Sequence, residues 1–258
     1  MHLPANELPP DPHAQRAIDR RRWLRAFKAS LGFVLVLLLV FLLQGQADLR
    51  AWTVQPGSVP GLLGLLGAPL LHGSVDHLVA NAISLLMLGT LAGAMYPRAT
   101  PRALPLLWLG SGLAAWLLGD VGSHHLGASG VTHGLMFLVL VLGLLRRDRP
   151  AIAAAMIAFF LYGGMLLTVF PREAGISWQA HLGGAVGGVL AALLWRRLDP
   201  QAPRKRYSWE LEEELEAAAQ AERETFEPPS PREVPVLWDP AESVEAPGKV
   251  LPFRPRRD

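Results

Sequence analysis

Between Ala29 and Trp195 the chain gathers its charged residues into short clusters and keeps the interiors of its apolar stretches free of them. The charged positions there are Asp48, Arg50, Asp76, Arg98, Arg102, Asp120, Arg146, Arg147, Asp148, Arg149, Arg172 and Glu173. The chain is 51% hydrophobic and 18% charged, a pairing that a soluble domain rarely shows. Because most of the charge is concentrated at the two ends, the sequence reads as a polytopic membrane chain. Backbone polar groups in hydrocarbon must be satisfied internally, and continuous apolar runs of this length do so as helices. The expected fold class is therefore all-α: a bundle of six transmembrane helices.

The six apolar segments run about Ala26 to Leu43, Val75 to Tyr96, Leu104 to Leu118, Ser129 to Leu145, Ala151 to Phe170 and Gln179 to Trp195. Several are shorter than the ~20 residues a helix needs to cross the hydrocarbon core. A short helix fits where it starts below the membrane surface, in a water-filled cavity lined by protein. Arg20 to Arg22 sit late, and no small-residue cleavage site follows Leu43, so the first segment reads as an anchor and not as a cleavable signal. The absence of cysteine excludes a disulfide, a thiolate nucleophile and a cysteine metal site.

The net charge of +2 and pI of about 9.3 do not indicate nucleic acid, because the arginines mark topology. Arg16, Arg20, Arg21, Arg22, Arg25 and Lys28 precede the first segment. Arg98 and Arg102 follow the second, Arg146, Arg147 and Arg149 the fourth, and Arg196, Arg197, Arg204, Lys205 and Arg206 the sixth. The opposite loops carry only Arg50 and Arg172. Both termini are then cytoplasmic, and segments two, four and six begin at the extracytoplasmic side. The expected organisation is a cytoplasmic tail over 1–25, a six-helix domain over 26–196 and a cytoplasmic tail over 197–258. Met1 to Ala17 is Pro-rich and reads as flexible, as does most of the C-terminal tail. One helix is expected there over 208–224, with Ser208 as cap and Glu210 to Glu216 suiting its N-terminal end.

Polar reactive residues at membrane depth are expensive and mark function by default. Ser129 stands in Gly127-Ala128-Ser129-Gly130 at the start of the fourth segment, and His181 opens the sixth. A serine and a histidine suffice for nucleophilic acyl transfer. At a helix start, Ser129 can aim its own backbone N–H at a developing oxyanion. A capping serine beside packing glycines is the alternative. Gly130 and Gly134 on one segment, and Gly184 and Gly188 on the other, are spaced to let two membrane helices approach closely. In the second segment His77 and Asn81 share a helix face and can both donate to an oxyanion, while His72 precedes them and braces the loop. A zinc reading is disfavoured because Asn81 is a poor ligand and no glutamate lies near. No cofactor or metal is expected. His124 and His125, before the serine, read as solvated loop residues, with a place at the border of the cavity as the alternative.

These motifs, in this order on a six-segment frame, resemble the rhomboid intramembrane serine proteases over about Ala26 to Trp195. The resemblance implies that Ser129 is the nucleophile and His181 the general base of a dyad lacking an acidic third member. It implies an oxyanion hole of His77, Asn81 and the Ser129 N–H. His72, His133, Gly127, Gly130, Gly184 and Gly188 are supporting positions. Many members carry an aromatic residue four after the serine, where this chain has His133, expected either to stack on His181 or hydrogen-bond it and tune its basicity, or to be a buried histidine satisfied by a backbone carbonyl. The stretch Ser129-Gly130-Val131-Thr132-His133-Gly134 is also similar to the rhombosortase-like branch. The Trp-Arg pair common before the second helix is absent.

The implied partners are the lipid bilayer and protein substrates with transmembrane helices, cleaved at or just below the extracytoplasmic surface of a bacterial inner membrane. Pro171 to Ser177 is expected to act as a lid, with Gly175 as hinge. A non-catalytic rhomboid-like binder of transmembrane helices and a small transporter are the rivals. Retention of both dyad residues disfavours the first, and the absence of charge in helix interiors and of an evident repeat disfavours the second. Substrate identity and oligomeric state are not legible.

Overall fold

The computed structural model describes residues 12–46, 48–171, 175–201 and 208–226. The segments expected to be tails at 1–11 and 227–258, and residues 172–174 of the expected lid, lie outside the described residues. Among the described residues the chain is helical, with one isolated antiparallel bridge between Val54 and His125.

The described residues form, in order, α1 Pro12–Gln44, α2 Gly64–Gly67, α3 Val75–Met95, α4 Ala99–Leu118, α5 Ser129–Arg146, α6 Arg149–Tyr162, α7 Trp178–Trp195 and α8 Ser208–Phe226. Short 3-10 helices at Arg50–Trp52, Pro60–Leu63 and Ala68–Leu70 fold the loop between α1 and α3 onto α4, where Trp108 and Trp116 donate from their indole nitrogens to the carbonyls of Leu65 and Ser58. α8 belongs to a separate compact unit that begins at Lys205.

Three boundaries differ from the apolar pattern. Helix α1 starts at Pro12, so residues 12–17 are helical and not a flexible tail; the helix simply continues past the apolar run into polar residues. Helix α4 starts at Ala99, five residues before the apolar run, because the buried Asp199 carboxylate accepts from the Arg98 and Ala99 N–H groups at 2.9 and 3.0 Å. Helix α6 ends at Tyr162, and Gly163–Leu166 tightens into a 3-10 turn, where Gly163 and Gly164 weaken the α-helix.

The protein is an integral membrane protein. Among the described residues, four helical spans are long and apolar enough to cross a membrane: Gln15–Gln44, Val75–Met95, Ser129–Arg146 and Arg149–Leu166. Helices α4 and α7 complete the bundle, α4 with Pro105 inside it and α7 with two pairs of glycines. They pack heavily against each other, and α7 also packs against α5. Helices enclosed by protein on this scale need less lipid-matched apolarity. Helix α1 lies against α3, and α6 against α5. Large apolar side chains on α1 and α6, such as Leu39, Leu42, Phe160 and Leu161, are exposed, as lipid-facing side chains are.

The centre of the bundle is a seam of small residues on α7. A Cβ on Gly184 would meet the Gly130 carbonyl, and one on Gly188 the Gly134 carbonyl, both on α5. One position earlier, Gly183 and Gly187 face the Gly110 and Leu106 carbonyls of α4. The four-residue glycine spacings of α5 and α7 predict the first pair of contacts and not the second. Without Cβ atoms on these faces, α7 comes into backbone contact with both neighbours at once.

Candidate active site

Ser129 is the first residue of α5 and His181 lies in the first turn of α7. The glycine seam fixes the spacing of the two helix starts. His181 Nε2 lies 2.9 Å from Ser129 Oγ. His181 Nδ1 lies 3.0 Å from the Thr168 carbonyl oxygen. A carbonyl only accepts, so Nδ1 carries the proton and Nε2 presents a lone pair to the serine hydroxyl. The imidazole is therefore in the tautomer that a general base requires.

His133 lies one turn into α5, and its ring stacks on His181 with centroids 3.8 Å apart and planes 12° apart. Its Nδ1 is 2.6 Å from the Ser129 carbonyl, and its Nε2 is 2.7 Å from Thr168 Oγ1. His133 thus both stacks on His181 and meets a backbone carbonyl. Thr168, which follows the 3-10 turn, touches both histidines and was not singled out from sequence. Its only signal there is a hydroxyl in an apolar run.

The chain enters α5 through Gly127, whose φ of +113° is a conformation that glycine adopts without strain. A Cβ at Gly127 would also strike the His77 ring. The Gly127 N–H donates to the Ala68 carbonyl at 2.8 Å, and the Ala128 N–H donates to Nε2 of the buried His72 at 3.5 Å. Gln44 at the end of α1 bonds the His72 backbone, its Nε2 donating to the carbonyl at 2.5 Å and its Oε1 accepting from the N–H at 3.3 Å. His72 thus supports the loop beneath the serine and meets the edge of His77 at 5.1 Å.

His77, Asn81, Ser129 and His181 line one cavity of about 990 Å³, together with Thr132 and Met165. The buried Asn81 amide donates to the His77 carbonyl at 2.9 Å, which orients it on α3. At the first residue of a helix, the Ser129 N–H has no intrahelical acceptor.

His125 is not the solvated loop residue expected. It is half-buried: its Nδ1 is 2.6 Å from Ser177 Oγ and its Nε2 is 2.9 Å from Ser123 Oγ, while its backbone pairs with Val54. Ser177 caps α7, its hydroxyl accepting from the Ala180 N–H, so His125 ties the loop before Ser129 to the start of the helix that bears His181. Burial lowers the His125 pKa below the ordinary histidine value, with Asp120 opposing and His124 reinforcing the shift. His124 is exposed at the rim, with its Nδ1 2.7 Å from Thr53 Oγ1.

A serine hydroxyl and an imidazole thus lie within hydrogen-bond reach of each other inside a helical membrane bundle. Residues 60–198 match the family model for the Rhomboid domain, and the chain belongs to the rhomboid family, whose members are generally serine intramembrane proteases acting on membrane proteins. The chain is 41% identical over 189 residues to the uncharacterized protein Rv1337 of Mycobacterium tuberculosis, an alignment covering 68% of this chain and 77% of the relative. It is 36% identical over 204 residues to the uncharacterized protein ML1171 of Mycobacterium leprae, covering 75% of this chain and 80% of the relative.

Proposed function

We propose that the protein is an intramembrane serine endopeptidase with Ser129 as nucleophile and His181 as general base. The observation that carries this reading is the 2.9 Å approach of His181 Nε2 to Ser129 Oγ, with Nδ1 committed to a carbonyl. His181 takes the hydroxyl proton as Ser129 attacks a substrate carbonyl carbon. The resulting oxyanion is held by the Ser129 N–H, the His77 ring and the Asn81 amide, and loss of one such donor costs about 10²–10³ in rate. The protonated His181 then gives its proton to the leaving amine. Water from the polar cavity, activated in turn by His181, releases the acyl group. A substrate helix must unwind near its end to expose a carbonyl, so small or helix-breaking residues there lower the cost.

Arginine placement supports an extracytoplasmic opening of the site and cytoplasmic termini, in a bacterial inner membrane. Pro171, Gly175, Ile176 and Ser177 line the cavity beside Ser129 and His181. The test is cleavage, in proteoliposomes, of a single-span model substrate with alanine and glycine near its extracytoplasmic end. Wild type is expected to cleave it, and folded Ser129→Ala and His181→Ala are not. Undiminished cleavage by Ser129→Ala contradicts the assignment.

A further inference from the structure

We infer that Thr168 is a positioning residue that fixes the protonation pattern of the stacked histidine pair, doing from a backbone carbonyl and a hydroxyl what an acidic residue does in a triad. This inference rests on the proteolytic reading of Ser129 and His181. The four groups form a closed circuit. His181 Nδ1 faces the Thr168 carbonyl at 3.0 Å, and Thr168 Oγ1 faces His133 Nε2 at 2.7 Å. His133 Nδ1 faces the Ser129 carbonyl at 2.6 Å, and Ser129 Oγ closes the ring on His181 Nε2 at 2.9 Å.

The chemistry of the partners places every proton. The Ser129 carbonyl only accepts, so His133 Nδ1 bears hydrogen, and in the neutral ring Nε2 is a bare acceptor. The Thr168 hydroxyl must then donate to His133 Nε2, although the Met165 carbonyl lies within its reach at 3.1 Å. That donation anchors the turn after Gly163–Leu166 and holds the Thr168 carbonyl in line with His181 Nδ1. When His181 takes the serine proton, the new imidazolium faces a carbonyl at Nδ1 and the π-face of a neutral His133 ring 3.8 Å away. Both contacts favour the cation. His133 must stay neutral for this, because a second cation at stacking distance would oppose the first.

The experiment labels detergent-purified full-length protein with a fluorophosphonate and reads the maximal inactivation rate separately from the half-saturating probe concentration. Thr168→Val keeps the carbonyl and removes the hydroxyl. It is expected to lower the maximal rate about tenfold, the scale of one lost buried hydrogen bond, with half-saturation unchanged. Thr168→Ser is expected to restore most of the rate. In a His133→Phe background, which retains a stacking ring but has no Nε2, Thr168→Val is expected to have no further effect. Wild-type labelling rates in Thr168→Val, or independent multiplication of the Thr168→Val and His133→Phe effects, would overturn the inference.

Nitrogen-15 histidine spectra of the same samples give a readout free of catalysis. His181 is expected as the Nδ1–H tautomer in wild type and in Thr168→Ser, and as a tautomer mixture in Thr168→Val. If wild type fails to label at all, the proteolytic reading fails while the spectra still decide the role of Thr168. A His181 tautomer unchanged in Thr168→Val overturns that role.

Discussion

Helix α7 and the end of α6 hold His181 from two sides by opposite means. On the α7 side, four glycines put backbone against backbone on α4 and α5 at once, and no side chain fits between. On the α6 side, the helix packs mainly on α5, exposes Phe160 and Leu161, and gives way before Thr168 to a turn that exposes Leu167 and Phe170. The seam sets where the imidazole stands, and the edge turn sets how it is rotated and protonated. Position therefore rests on close packing, which tolerates little change, whereas orientation rests on a few hydrogen bonds at a less enclosed element.

The same substitution separates the two regions. Gly184→Ala places a methyl group on the Gly130 carbonyl, so the helices must part; a loss of about 1–3 kcal/mol is expected, with loss of probe labelling. Thermal unfolding in detergent measures it, and an unchanged midpoint would break the seam account. At the far end of α7, Asp199→Ala removes the carboxylate that caps α4. It is expected to cost about 1–2 kcal/mol and leave the maximal labelling rate of the folded fraction unchanged. Gly164→Ala, in the 3-10 turn with open space around it and no positive φ, is expected to stabilise by about 0.4–1 kcal/mol. A destabilisation of Gly184→Ala size at Gly164 would erase the distinction.

The smallest expected effect is a pH slope. The pKa of His125 is lowered in the folded protein, so the unfolded chain takes up the proton first as pH falls. Its contribution to stability is present above the ordinary histidine value, about 6.5, and is lost progressively below it. His125→Gln is expected to flatten part of the fall in thermal midpoint between about pH 6.5 and 5. An unaltered slope would show that His125 does not couple the two helix starts through its neutral ring.

Much of this arrangement is legible in the chain because membrane depth makes each exception visible. Ser129 and His181 stand out as polar groups opening apolar runs, and the spacing of Gly130 and Gly134 with Gly184 and Gly188 points to one close helix pair. The second glycine face is not legible because Gly110 has no glycine four residues away in α4, and Leu106 contributes only its backbone carbonyl. Thr168 escaped for the same physical reason: its contact with His181 is a main-chain oxygen, which every residue has. His125 escaped because loop histidines are solvated by default, and only the fold brings Ser177 to it. Helix α4 was read too short because its start is capped by Asp199, distant in sequence, and not by a local residue.

The central claim is that His181 activates Ser129. The most direct test is fluorophosphonate labelling of the purified full-length protein, with the adduct located by peptide mass, in wild type, Ser129→Ala and His181→Ala. A single adduct on Ser129 in wild type, and none in either folded variant, is the expected result. A folded wild type that takes up no label, or a His181→Ala variant that labels as fast as wild type, would contradict it.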